Sequence, residues 1–130
     1  MRRNLLALLG IWAVSMVCIG CRSESPDISD AKVDLTVNPS PPFVGDAEIS
    51  LTLADAGGAA LKGADVRLEG NMNHAGMKPS FADLREVEPG RYTGTLAFTM
   101  SGDWFILVTA KTSDGRTVQR KIDVPGVKSP

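Results

Sequence analysis

From Lys32 to the end of the chain, apolar side chains return at every second position, not at every third or fourth. Period two puts successive side chains on opposite faces of an extended strand, whereas a helix needs a 3.6-residue stripe. Val33, Leu35 and Val37 alternate with polar residues, and Asn38-Pro39-Ser40-Pro41-Pro42 then ends the run, because proline has no N–H to give to a ladder. Ala47, Ile49, Leu51 and Leu53 follow, closed by Ala54-Asp55-Ala56-Gly57-Gly58. Val66, Leu68, Gly70 and Met72 alternate with Asp65, Arg67, Glu69 and Asn71, and a strand over Phe81 to Val87 comes after a loop. Glu88-Pro89-Gly90-Arg91 places Pro and Gly as a type II turn requires. Tyr92, Gly94, Leu96, Phe98 and Met100 alternate with threonines, Trp104 to Ala110 is nearly all apolar, and Ser113-Asp114-Gly115-Arg116 is a hairpin turn before Val118, Ile122 and Val124. Short strands at this spacing, with turn signals between them and no helical stripe, predict an all-β chain. The expected architecture is an immunoglobulin-like antiparallel two-sheet sandwich of about seven strands.

The first residues obey a different rule. Met1-Arg2-Arg3-Asn4 is positively charged, and Leu5 to Ile19 is apolar but shorter than the roughly 20 residues a spanning helix needs. This is the pattern of a secretory signal peptide. It ends at Cys18-Ile19-Gly20-Cys21, which resembles a bacterial lipobox, although Cys18 stands where leucine is usual. The resemblance implies acylation of Cys21, removal of residues 1–20, and a lipoprotein held on a membrane in the periplasm or extracytoplasmic space. Several acyl chains give stable anchoring where one does not. Arg22 after the cysteine, in place of Asp, is compatible with transfer to an outer membrane. Residues 21–31, poor in apolar side chains, are expected to be a flexible tether, and 32–130 the domain.

The chain has 14 basic and 15 acidic side chains, and Arg2 and Arg3 belong to the signal segment, so the remainder carries a net charge of −3. No basic patch is available for nucleic acid. Both cysteines lie at or before position 21, which leaves the domain without a disulfide, a thiol nucleophile or a cysteine metal ligand. Its acids (Asp83, Glu86, Glu88, Asp103, Asp114) are scattered over turns and outward positions without paired spacing, and no serine sits in an elbow-like context. A non-catalytic protein is expected. Trp104 is expected in the core, and Tyr92 is expected to pack its ring and give its hydroxyl to a backbone partner.

The chemistry that remains is concentrated in Asn71-Met72-Asn73-His74-Ala75-Gly76-Met77-Lys78-Pro79 and Thr99-Met100-Ser101-Gly102-Asp103-Trp104. Between them they hold the only histidine of the chain and every methionine after the signal segment. Alternate strands run the same way, so the strands ending near Met72 and Met100 should end at one pole. Met72 and His74, two apart, share a face if the chain is extended, and Gly76 permits a bend that brings Met77 back. Thioethers are soft, neutral ligands that select Cu(I) over hard cations, and they stay usable where thiols oxidise. Met72, His74, Met77 and Met100 are therefore candidate ligands of a Cu(I) site. The same residues also fit plain packing, since Met72 and Met100 have inward parity and methionine fills gaps at core ends.

Taken together, Met72-Asn73-His74-Ala75-Gly76-Met77, Pro89-Gly90-Arg91-Tyr92 and Met100-Ser101-Gly102-Asp103-Trp104 resemble the YtkA-like domain family, related to FixH-like proteins. Val44-Gly45 and Gly63-Ala64-Asp65-Val66 fit as well, and the match runs from about Ala31 to Val124. The resemblance implies a small exported sandwich domain associated with copper handling, and a partner that is an envelope copper protein or takes part in oxidase assembly. A lipobox stands here in place of the helix that anchors FixH-like members. The alternative function is a non-metal assembly module that binds another envelope protein.

Overall fold

The computed structural model describes residues 27–130. The expected signal segment 1–20, Cys21 and residues 22–26 lie outside that range. Seven strands follow one another: β1 Lys32–Asn38, β2 Gly45–Ala54, β3 Asp65–Asn71, β4 Ser80–Glu88, β5 Arg91–Phe98, β6 Gly102–Lys111 and β7 Thr117–Val127. The described residues contain no helix. Every strand pairing is antiparallel, and the hydrogen-bonded order is β1-β2-β5-β4-β3-β6-β7.

The expected two-sheet sandwich is present, and β4 joins its layers. The first half of β4 pairs with β3, from Ser80 opposite Gly70 to Leu84 opposite Val66. Its second half pairs with β5, from Arg85 opposite Thr93 to Glu88 opposite Arg91, across a register shift after Glu86. A strand that changes sheets makes a corner. At this corner Gly94 of β5 lies so close that a Cβ there would sit 2.6 Å from Leu84 Cδ2 and 3.1 Å from the Asp83 carbonyl oxygen. The inward sets are those the alternation gives: Ala47, Ile49, Leu51 and Leu53 of β2, Val66 and Leu68 of β3, Leu96 and Phe98 of β5, and Trp104, Ile106, Val108 and Ala110 of β6.

Two turns are fastened from within. Gly90 has φ +77°, as the second central position of a type II turn demands. The Glu86 carboxylate accepts N–H groups from Gly63 (3.0 Å) and Gly90 (3.2 Å), tying the β2–β3 connection to the β4–β5 turn. Accepting the Gly90 and Gly63 N–H groups favours the charged form and holds the Glu86 carboxyl below its ordinary value. The fully buried Tyr92 donates its hydroxyl to the Leu61 carbonyl (2.8 Å) and accepts from the Ala64 N–H (3.0 Å), as expected from the sequence.

The domain begins earlier than its composition suggests. Within the stretch 21–31 read as a tether, residues 27–31 are docked, with Ile28 and Ala31 buried. Asp27 forms a parallel bridge with Thr117, and Ile28 N–H donates to the Thr117 carbonyl at 2.8 Å. The Arg120 guanidinium donates to the carbonyls of Ser29 (2.9 Å) and Ala31 (2.8 Å). The segment thus crosses the lower end of the sandwich from β7 to β1. At the opposite end Phe43 bridges Lys128. Between these two ties β1 and β7, not paired with each other, lie along a groove of about 450 Å³, with Leu35, Val37, Ile122 and Val124 in its lining.

Candidate functional site

β3 and β5 both run antiparallel to β4, so they point the same way and their ends share a pole. The pairings of Gly45 with Phe98 and of Gly102 with Val127 bring the start of β2, the start of β6 and the end of β7 to that pole too. The β3–β4 loop with Met72, His74 and Met77 and the β5–β6 loop with Met100 therefore meet, as strand direction requires.

Met72 is buried, and its Cε lies 2.7 Å from where a Cβ on Gly102 would be. The absence of a side chain at Gly102, whose φ is +128°, is what admits the Met72 thioether. Contact between positions 72 and 102 joins the two loops directly. Met100, two residues before Gly102, is held through its backbone: its carbonyl accepts the indole N–H of Trp104 at 2.9 Å. The Trp104 ring is buried and meets Phe98 edge to face, with centroids 5.2 Å apart and planes at 83°. The bend at Gly76, φ +78°, returns the chain so that Met77 packs, partly buried, against the core. Met77 N–H reaches the His74 carbonyl at 3.5 Å.

Two local expectations fail. Met72 and His74 do not share a face, because strand β3 stops at Asn71 and the chain turns through Ala75-Gly76, leaving Met72 buried and His74 exposed. Met100 does not point inward, since β5 stops at Phe98 and the alternation does not carry past it; Met100 is 50% exposed. Core packing thus accounts for Met72 and in part for Met77, and not for His74 or Met100. Sequence reasoning missed three contributors: Gly102 as the seat of Met72, Arg120 as the fastener of residues 27–31, and Phe43, 45% exposed at the same pole. The glycine before Asp103-Trp104 was a signal for the first; a lone arginine among strand residues gave none for the second. No group of three or more His, Cys, Asp or Glu that could hold a metal occurs among the described residues.

The YtkA-like family model matches residues 27–109. The chain belongs to the YtkA-like family. That match begins at Asp27, the first described residue, and so takes in residues 27–31 of this YtkA-like domain. It takes in both loops of the pole. No curated protein matches the chain. Among solved structures, murine CRIg is similar, with 17% identity and a TM-score of 0.41, over 76% of this chain and 98% of that one.

Proposed function

We propose that this YtkA-like domain is a non-catalytic, lipid-anchored envelope protein that binds Cu(I) through Met72, Met77, Met100 and His74 and hands it to or takes it from a copper protein. The observation that carries this reading is the Met72–Gly102 contact, which brings the two ligand-bearing loops together. The donor set suits the ion. Thioethers and one imidazole are neutral and soft to borderline, the ligands Cu(I) prefers, while Mg²⁺ and Ca²⁺ require oxygen. Met72 offers sulfur from the buried side, and Met100 and His74 stand at the surface where an ion arrives. Acylated Cys21 would hold the protein at the periplasmic or extracytoplasmic membrane surface.

The test is competition for Cu(I) between residues 27–130 and a chromophoric chelator. Starting at Asp27 keeps Ile28 and the Arg120 contacts in place. Met100→Leu preserves bulk and removes the sulfur, so it should weaken Cu(I) binding while costing under about 1.5 kcal/mol of stability. Binding should also weaken in acid, as a ligating imidazole must be unprotonated. No Cu(I) binding by the unaltered domain sinks the proposal, and equal affinity in Met100→Leu removes Met100 from the site.

A second reading has an observation of its own. The outer edges of β1 and β7, paired with β2 and β6 but not with each other, face a groove lined by Leu35, Val37, Ile122 and Val124. Such an edge fits an assembly module that takes up an extended segment of another envelope protein as an added strand.

A further inference from the structure

The described chain starts at the pole opposite the Met/His loops. Thr117 opens β7 and Gly102, opposite Val127, opens β6, so the Asp27–Thr117 bridge and the Met72–Gly102 contact lie at opposite ends of the same strand pair. The starting segment is not free to swing. Ile28 and Ala31 are buried, Ile28 N–H is bonded to Thr117, and Arg120 holds the carbonyls of Ser29 and Ala31. The ten residues of β6 set the distance between the poles at about 30 Å, at roughly 3.3 Å per residue. Cys21 precedes Asp27 by six residues in the sequence. Six residues reach at most about 20 Å when fully extended.

From these lengths we infer that the membrane-bound protein cannot turn its Met/His pole down onto the bilayer, so that this pole faces the aqueous side. Full inversion would need Asp27 about 30 Å above the surface, farther than the segment from Cys21 can span. Phe43 and Met100, 45% and 50% exposed, lie at this outward pole beside the candidate ligands. This inference rests on the anchoring part of the proposal above and is independent of copper.

The experiment uses the full chain, acylated in bacterial membranes and reconstituted into phosphatidylethanolamine–phosphatidylglycerol vesicles with an acceptor dye on a lipid headgroup. Donor dyes are placed one at a time at Ser113→Cys, in the β6–β7 hairpin, and at Lys78→Cys, in the β3–β4 loop; both positions are exposed. Energy transfer to the headgroup dye should be clearly more efficient from position 113 than from position 78. Equal or stronger transfer from position 78 overturns the orientation. Flotation of the same vesicles separates the two claims: a chain that does not float with lipid refutes the anchor and the orientation with it, whereas a floating chain with reversed transfer refutes the orientation alone.

Discussion

Replacing Trp104 by alanine tests the junction of core and site at a single position. The ring is 2% exposed, packs edge to face on Phe98, and lies over Gly70, where a Cβ would come within 3.5 Å of two ring carbons. Its N–H occupies the Met100 carbonyl at 2.9 Å. Large-to-small replacement of a buried aromatic costs about 3–5 kcal/mol. Within that, the aromatic pair accounts for about 0.5–1.5 kcal/mol and the hydrogen bond for a similar amount. A domain of this size is stable by about 5–15 kcal/mol, so the change removes from about a fifth of that stability to all of it. With a urea slope of about 1–3 kcal/mol per molar, even a 3 kcal/mol loss lowers the midpoint by about 1–3 M. Trp104→Phe keeps most of the ring and deletes the donor; it should lose roughly 1–2 kcal/mol and loosen the Met100 loop. Urea melts of residues 27–130 give both values. A loss below about 1 kcal/mol for Trp104→Ala, the range of surface changes, would refute the placement of the ring in the core.

Gly94→Ala should destabilise by about 1–3 kcal/mol through overpacking against Leu84 and the Asp83 carbonyl, measured by the same melts. The Glu86 carboxyl, lowered in the fold, stabilises the protein above the ordinary carboxylate value and loses that contribution as pH falls through its folded value. Glu86→Gln should therefore flatten the acid limb of a stability–pH curve, and an unchanged limb would deny the Gly63 and Gly90 bonds that role. Cys21→Ser should abolish incorporation of a fatty-acid analogue into the protein, and a labelled Cys21→Ser protein would exclude the lipobox.

Much of the sandwich was open to reading because β2, β3, β5 and β6 each keep one partner face throughout, so burial follows parity from Ala47 to Ala110. The double duty of β4 was not readable. Its inward residues Ala82 and Leu84 sit in one sheet while Arg85 to Glu88 pair in the other, and alternation along a strand says nothing about a change of neighbour. The convergence of the two loops followed from strand direction alone. Which side chains face in did not: Met100 and His74 lie beyond the last paired residues of their strands, where parity has no physical basis. Ile28 is a lone large apolar residue among acids and serines; it is buried, and its carbonyl accepts from Arg120, 92 positions away.

The path of β4 also bears on how the chain reaches its native state. The consecutive strands β3, β4 and β5 form a meander of local hairpins, and that meander already contains a piece of each layer. Two sheets built separately would have to find each other and dock; the corner, made of sequence-adjacent strands, is expected to form early and to fix both layers at once. The non-local pairings of β2 with β5 and β3 with β6 close longer loops and are expected to form later. Refolding on the millisecond-to-second scale of sandwiches follows from that order. Substitutions at the corner should slow refolding, whereas those in β7, the last strand at its edge, should mainly speed unfolding.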